Sequence, residues 1–288
     1  MLESLSHVIV AVSDLEAATG DYRAILGREP SWRGEHPGAG TANTLFGLGN
    51  GYLELVAPIG EGIFGDGVRD HLDSRGEGLL GFALGCGDAD AYTALLRERG
   101  LNASDPMEGS GRSGDRERFW RNIYLPTDQT RGVFLFAIEH RDGEVGLPPA
   151  VALGEDAASP HEFDHVVVMT RDPDACRSFY EEGLGLRMAL DKTFEKFGSR
   201  LIFFRVGGVS IEIGASLSEA VDPDAPDHLW GLAYRVQDLA AARARMVAAG
   251  IDASEVRKGR KKGTVVCTVR RPTHGVATLL IGTDPESA

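Results

Sequence analysis

The sequence predicts an α+β protein built from four modules, each consisting of a strand, a helix and about three further strands. Two internal matches carry this prediction. The segment from Ser6 to Leu55 matches the segment from Asp164 to Ile213 without a gap, at a constant offset. A second pair of matching segments begins at Gly81 and at Gly231. The order A-B-A′-B′ indicates an internal duplication, because shared strand propensity would not keep one register over such a length.

The two A modules share every local signal. Each opens with a β-branched run typical of a buried strand, continues with an aspartate suited to capping a helix, and ends that helix at Leu-Gly. A pair of strands joined by a glycine-rich turn follows, which is a hairpin signal. These features lie at Ser6–Val12, Asp14, Leu26-Gly27 and Leu45–Leu55 in the first copy, and at Asp164–Thr170, Asp172, Leu184-Gly185 and Phe203–Ile213 in the second.

The two B modules repeat a different set of signals. Each has a short apolar strand, an aspartate, a helix rich in Ala, Leu and Arg, and a closing strand after Gly-Val. These lie at Gly81–Leu84, Asp88 and Phe134–Ile138, and at Gly231–Tyr234, Asp238 and Ala277–Ile281. The stretch 141–160 is rich in Gly, Pro, Ala and acidic residues and is predicted to be a linker. We therefore expect two domains, 1–140 and 161–288.

Composition and charge limit the molecules that this protein is expected to bind and the compartment in which it is expected to lie. The formal net charge of −13 opposes binding to phosphate backbones, so nucleic acid is not expected as a partner. The basic run Arg257–Lys262 is either a solvated turn or an anion-binding loop. Three widely spaced cysteines form no disulfide or metal pattern, the N-terminus lacks a secretion signal, and no apolar run reaches membrane-spanning length. A cytoplasmic location, with no membrane partner and no preferred oligomeric state, is the expectation.

The ordered set of A-module residues resembles the vicinal oxygen chelate superfamily, which includes glyoxalases and bleomycin-resistance proteins. The pattern comprises a histidine on the first strand, the capping aspartate, a tyrosine near the helix end and a glutamate on the last strand. It occurs in full at His7, Asp14, Tyr22 and Glu54, and again at His165, Asp172, Tyr180 and Glu212. The resemblance covers nearly the whole chain and implies two cup-shaped half-barrels with the helices outside.

The resemblance also implies a divalent metal in the cup, held by His7 and Glu54 in one domain and by His165 and Glu212 in the other. The B modules depart from this pattern, with glycine and apolar residues where further ligands are expected, at Gly81, Phe136, Gly231 and Leu279. One histidine and one glutamate per cup fall short of the usual three protein ligands. A weakly held, substoichiometric metal is therefore expected, and an extradiol dioxygenase is disfavoured.

The two glutamates have two interpretations. Each lies between apolar residues on its strand, so it points either into the cup or towards solvent. In the cup, the carboxylate would orient its histidine and raise the basicity of the imidazole for proton transfer. Aromatic and loop residues near the cups are candidates for substrate binding, with core packing or turn formation as the alternative role. They are Trp32, Arg33, Tyr52, Trp120 and Trp230, and Arg33 is assigned together with His36 to a polar loop, Trp32–Gly38.

The functional expectation is a glyoxalase-like enzyme that acts on a small oxygen-rich or carbonyl-bearing metabolite by isomerase, lyase or ring-opening chemistry. The alternative is a metal-free small-molecule binding protein of the bleomycin-resistance type. No nucleotide cofactor is expected, since no glycine-rich phosphate motif is present. The modules are expected to pair A with B, which leaves two half-sites. Pairing of A with A′ would instead join all four candidate ligands in one site.

Overall fold

The computed structural model describes residues 1–141 and 147–287. Its first half forms an eight-stranded sheet that closes on itself in the order β1-β4-β3-β2-β6-β7-β8-β5. The strands are β1 Leu2–Ala11, β2 Trp32–His36, β3 Thr41–Leu48, β4 Gly51–Pro58, β5 Gly78–Cys86, β6 Met107–Ser113, β7 Arg116–Tyr124 and β8 Phe134–His140. Three helices accompany them, α1 Leu15–Leu26, α2 Ile63–Arg75 and α3 Ala89–Glu98.

The second half forms a nine-stranded sheet with two free edges. Its order is β10-β11-β12-β9-β13-β17-β16-β14, and β15 pairs with β16. The strands are β9 Glu162–Met169, β10 Arg187–Phe194, β11 Ser199–Val206, β12 Val209–Ser216, β13 His228–Arg235, β14 Asp252–Ala253, β15 Arg257–Lys258, β16 Thr264–Arg271 and β17 Ala277–Thr283. The helices are α4 Pro173–Ser178, which a π-helical turn at Phe179–Gly183 extends, and α5 Leu239–Ala248.

The predicted α+β class and the predicted pairing of modules are confirmed. In each sheet the first strand of an A module pairs antiparallel with the first strand of the B module that follows it, β1 with β5 and β9 with β13. No pairing joins an A module to the other A module within the described residues. The four candidate ligands therefore lie in two separate sites.

Local signals place the elements as the sequence indicates. The Asp14 side chain caps α1 by accepting hydrogen bonds from the backbone N–H groups of Glu16 and Ala17, both at 3.0 Å. The same helix ends at Gly27, whose φ of 63° is the left-handed conformation that favours glycine. No helix in the described part of the chain is long and apolar enough to cross a membrane.

One glycine permits the first sheet to close. The β2 and β6 strands meet at Glu35 and Arg112. A Cβ atom on Gly34 would lie 2.3 Å from the Arg112 carbonyl oxygen, so any larger residue would force these strands apart. Most of the segment Trp32–Gly38, which was expected to be a polar loop, is thus the strand β2, Trp32–His36, which seals the barrel. That expectation was wrong because the glycine serves close strand approach and not a turn.

Alternation along the strands separates two apolar layers. Residues such as Val8, Val10 and Leu53 face the helices and belong to the large core that continues into the second sheet. Residues at the alternate positions, such as Ile9 and Phe136, face the barrel interior and form a smaller cluster. Any other side chain at these alternate positions must also point into the closed barrel.

Candidate functional site

The first barrel buries a histidine and a glutamate at such interior positions. Because β1 and β4 run parallel with His7 opposite Tyr52 and Ile9 opposite Glu54, both candidate side chains lie on the inner face. His7 is 3% exposed and Glu54 is 6% exposed. The His7 Nε2 atom lies 3.5 Å from Glu54 Oε2. Solvent exposure, one of the two interpretations of Glu54, is therefore wrong for this residue.

Two further polar residues lie at the Glu54 carboxylate: Asn43, which the sequence did not single out, and His36, which the sequence assigned with Arg33 to a loop. The Asn43 side-chain amide on β3 donates a 2.8 Å hydrogen bond to Glu54 Oε1. His36 on β2 brings its Nε2 atom to 3.7 Å from the same oxygen and to 3.1 Å from Asn43 Nδ2. The other ring nitrogen of His36 lies 2.8 Å from Thr41 Oγ1. If Asn43 donates to both neighbours, His36 is an acceptor at Nε2 and a donor to Thr41.

A second chain of polar groups fixes the orientation of His7. Its Nδ1 atom lies 3.1 Å from Ser6 Oγ, which lies 2.9 Å from His140 Nε2. The Tyr52 ring stacks on the imidazole with a centroid separation of 4.6 Å and an interplanar angle of 14°. One consistent set of donors runs from His140 to Ser6 to His7 Nδ1. It leaves the His7 proton on Nε2, facing Glu54.

The imidazoles of this site are neutral at neutral pH. Burial, followed by the charges of His140 and Arg118, holds the pKa of His7 well below its ordinary value. Burial also lowers the pKa of His36, against the opposing effect of Glu54, and lowers that of His140 to about 4. The expected effect of the carboxylate on the basicity of its own histidine stays a prediction; at His36 the Glu54 charge acts to raise the pKa, but burial lowers it by more. The contact of His7 with Glu54 joins a neutral ring to a carboxylate.

Cationic and aromatic groups complete the interior of the first barrel. Arg118 is 6% exposed, and its guanidinium lies 5.3 Å from the Tyr52 ring centroid and 5.8 Å from that of Trp32. The Trp120 ring meets the His36 ring edge-on at 5.8 Å. Burial raises the pKa of Tyr52 to about 12, so its hydroxyl stays protonated. Three predicted substrate-binding residues, Trp32, Tyr52 and Trp120, therefore do lie around the His7–Glu54 pair.

The remaining two predicted substrate-binding residues lie elsewhere. Arg33 forms an ion pair with Glu16 of α1, on the outer face of the first barrel. Its alternation with the inward-facing Trp32 explains this placement. Trp230 belongs to the second sheet, next to a register shift in β13, and is 57% exposed. The geometry supports no contact of Arg33 with the first cup.

The second sheet repeats the histidine–glutamate pair with a different surrounding. His165 Nε2 lies 3.6 Å from Glu212 Oε2, and the two side chains are 16% and 18% exposed. Asp164 lies 2.8 Å from His165 Nδ1 and accepts a 2.8 Å hydrogen bond from Arg235. Burial alone would raise the pKa of Asp164, but the contacts with His165 and Arg235 hold this pKa below its usual range. Burial raises the pKa of Glu212, with His165 and Arg260 opposing it.

The strand register, which is the same in the two sheets, identifies the residues that replace those of the first cup in the second cup. The hairpin pairs His36 with Thr41 in the first sheet and Phe194 with Ser199 in the second, so Phe194 stands where His36 stands. By the same register Leu201 replaces Asn43, and Ser210 replaces Tyr52. The Glu212 carboxylate thus has no counterpart of the amide that holds Glu54. Among the described residues, the polar contacts of the second pair are therefore on the histidine side, where Asp164 contacts His165.

The donor sets do not complete a metal centre. Within residues 1–141 and 147–287, no group of three or more His, Cys, Asp or Glu side chains is arranged to hold an ion. His7 with Glu54, and His165 with Glu212, supply two donors each, whereas catalytic sites of this type use about three. The neutral imidazole of His7 is in the form that binds metal ions. The Glu54 carboxylate, however, has His7 beside one oxygen and His36 beside the other. Weak divalent metal binding stays a prediction.

Comparisons with protein families match both halves of the chain. A model described as a glyoxalase-like domain matches residues 5–158. A model of the glyoxalase, bleomycin resistance protein and dioxygenase superfamily matches residues 164–268. Among curated proteins, the ethylmalonyl-CoA/methylmalonyl-CoA epimerase of Cereibacter sphaeroides is 42% identical over 62 residues. That match spans 22% of this chain and 46% of the relative, so the similarity covers less than half of the epimerase.

Solved structures share the architecture of nearly the whole chain. A mutant of 4-hydroxymandelate synthase from Streptomyces coelicolor superposes with a TM-score of 0.71 and 16% identity, covering 98% of this chain and 93% of that one. The Mn(II)-bound glyoxalase from Novosphingobium aromaticivorans gives a TM-score of 0.64 and 15% identity, covering 98% and 82%. At these identities the likeness establishes the fold alone.

Proposed function

This chain belongs to the glyoxalase-like domain family, and on that premise we propose that it is an enzyme of the isomerase type with its active site in the first barrel. The reaction is proton transfer next to a carbonyl group of a small oxygen-rich metabolite. The observation that carries the proposal is the Glu54 carboxylate, which is 6% exposed and whose ion-pair contacts among the described residues are with the neutral rings of His7 and His36. A buried carboxylate without a cationic partner within ion-pair distance is costly, and such groups concentrate at functional sites.

The arrangement assigns separate roles to the two central residues. Glu54 is the general base, and an oxygen of its carboxylate accepts the proton from the carbon next to the carbonyl. The electron pair of that C–H bond moves into the enolate. The neutral His7 donates its Nε2–H to the developing oxyanion, and the Ser6–His140 chain holds that proton on Nε2. Return of the proton to the same or the neighbouring carbon yields an epimer or an isomer.

The surrounding residues position these groups. Asn43 fixes one oxygen of Glu54 by its 2.8 Å hydrogen bond and leaves the other oxygen towards His7. Tyr52, stacked on His7, limits rotation of the ring. The apolar interior around Ile9 and Phe136 excludes water, which strengthens the interaction with a developing charge. With two donors per cup, no step of this mechanism passes through a metal ion.

The experiment is hydrogen–deuterium exchange of candidate substrates in D₂O, followed by proton NMR. The panel contains 2-oxo acids, α-hydroxy ketones and methylmalonyl-CoA, the last because matched relatives are epimerases of that ester. For a substrate that exchanges, Glu54→Gln is expected to lower the rate by about 100-fold or more, the usual contribution of a general base. The matched variant Glu212→Gln, in the second cup, is expected to leave the rate within about twofold.

Two outcomes would contradict the proposal. Loss of exchange on Glu212→Gln but not on Glu54→Gln would place the chemistry in the second cup. Tight binding of a panel compound with no exchange, unchanged in both variants, would instead support a binding protein of the bleomycin-resistance type.

A further inference from the structure

The distribution of lysine is the most uneven feature of this chain. All five of its lysines lie in two short segments, Lys192 and Lys196 in one and Lys258, Lys261 and Lys262 in the other. The first segment connects β10 to β11, and the second connects β15 to β16. The chain as a whole carries a net charge of −13. A cationic surface confined to two hairpins of an acidic protein concentrates anions at one place.

The two hairpins meet although they belong to opposite edges of the second sheet. β10 is one edge strand, while β15 and β16 lie at the other edge. The sheet curls so far that the Arg260 guanidinium lies 4.6 Å from the Phe197 ring centroid. The Lys196 ammonium lies 5.9 Å from the same ring. This cation–π contact joins the edges across the mouth of the second cup, so the basic groups form one surface.

The charges of this surface are largely unneutralised. Lys258 forms ion pairs with Glu286 at 3.2 Å and Asp284 at 4.0 Å. For the other four lysines and for Arg260, no ion pair occurs within the part of the chain that the structure describes. The stretches 192–199 and 256–264 contain one acidic residue, Glu195. All five of these cationic side chains are exposed and accessible to a ligand.

The surface stands over the second cup and acts on its interior. Arg260 is among the charges that oppose the rise in the pKa of Glu212, so its guanidinium lies within electrostatic reach of the cup. Lys192 occupies the register position that Gly34 occupies in the first sheet, opposite Leu201 as Gly34 is opposite Asn43. The glycine lets the first barrel seal, whereas the lysine keeps this mouth open and lines it with charge.

We propose that the mouth of the second cup binds a phosphorylated small molecule, with phosphoryl groups held between the Lys192–Lys196 hairpin and Arg260–Lys262. Several cations around one opening suit a ligand with more than one negative charge, and Arg and Lys together are the usual ligands of phosphoryl oxygens. Phe197 gives the ligand an apolar contact beside Arg260. This site is separate from the first barrel and goes beyond the function proposed for it.

The test is isothermal titration calorimetry of the full chain with inorganic pyrophosphate as the probe. Saturable binding with one site per chain is expected. The double variant Lys196→Gln/Arg260→Gln is expected to weaken it by about tenfold or more, since each residue removes a charge-assisted contact. Lys258→Gln is the matched control in the same hairpin, and because its ammonium is already paired, a change of less than about twofold is expected.

Three results would overturn the proposal. They are the absence of pyrophosphate binding, equal weakening by Lys258→Gln and the double variant, and binding that inorganic sulfate at the same ionic strength abolishes completely. Sedimentation with vesicles of phosphatidylcholine and phosphatidylserine tests whether the phosphoryl groups that bind belong to membrane lipids or to a soluble molecule. Association with those vesicles in the absence of pyrophosphate binding would assign the surface to a membrane and refute a soluble ligand. Both substituted side chains are exposed, so the variants are expected to fold.

Discussion

Replacing Glu54 by glutamine is expected to stabilise the protein while it removes the proposed activity. The carboxylate is buried beside the neutral rings of His7 and His36, and its one close donor is the neutral amide of Asn43 at 2.8 Å. Such a charge loses much of its hydration free energy on folding and recovers only part of it. Active sites commonly hold groups at a cost to stability in this way.

The size of the effect follows from the contacts. A glutamine has the same shape, and its carbonyl oxygen, in the position of Oε1, accepts the Asn43 hydrogen bond. Its amide then faces His7 Nε2, which accepts this hydrogen bond when the His7 proton moves to Nδ1 and the Ser6 hydroxyl donates to His140. No buried polar group then loses its partner. Replacing a whole buried ion pair by apolar residues ranges from neutral to a gain of roughly 4 kcal/mol, and because Glu54→Gln removes one charge and keeps a polar group, a gain of about 1–2 kcal/mol is expected. The melting temperature should rise by about 2–4 °C for each kcal/mol.

Urea unfolding followed by circular dichroism measures this free energy directly. The control is Glu212→Gln, whose side chain is 18% exposed and within reach of Arg260, and a change within about 0.5 kcal/mol is expected. A loss of about 3 kcal/mol or more in Glu54→Gln would refute the reasoning. It would mean that the carboxylate is the structural partner of a charged imidazole, and not a base held at a cost.

Two further predictions concern pH and the contact between the sheets. The pKa values of His7 and His36 are lowered on folding, so the unfolded chain binds more protons than the folded chain below about pH 6.5. As the pH is lowered below that value, the free energy of unfolding should fall by up to about 1.4 kcal/mol per pH unit for each histidine. Urea unfolding at about pH 7.5 and about pH 5.5 measures this difference. Asp227, 1% exposed, pairs at 3.0 Å with Arg131 of the first half, so Asp227→Asn should lower the free energy of unfolding by about 2–4 kcal/mol. The exposed pair of Asp222 with Arg171 provides the control, and Asp222→Asn should cost less than about 1 kcal/mol.

Much of the fold was predictable because the duplication is visible in the residues themselves. The matching of His7 with His165 and of Glu54 with Glu212 fixed the equivalence of two modules, and adjacency along the chain favoured the A–B pairing that β1 and β5 display. Strand alternation also indicated that Glu54 points away from Leu53 and Leu55. It did not indicate whether that face is enclosed, because enclosure depends on strands far apart in the sequence.

The polar network was out of reach of local patterns for the same reason. Asn43 and His36 contact Glu54 through a neighbouring hairpin, and His140 reaches Ser6 from the far end of the other module. Burial lowers the pKa values of His7 and His36, although the Glu54 carboxylate acts to raise that of His36, and the extent of burial is not visible in local sequence. A spacing repeated in two modules can therefore locate a pair of groups, whereas the burial of that pair depends on strands that lie far apart in the sequence.

The two sheets show how one duplicated module came to hold two different environments. In the first, Gly34 lets β2 approach β6, and the closed barrel removes water from His7 and Glu54. In the second, the equivalent position is Lys192, a side chain that cannot enter such a contact, and the sheet keeps two free edges. An enclosed carboxylate suits proton transfer, because the dry surroundings strengthen its interaction with a developing charge. An open mouth lined with cations suits the recognition of an anion, whose charge must stay accessible to several donors at once. At this one register position, the first sheet has the glycine that its closing contact requires, whereas the second sheet has a lysine of the basic surface.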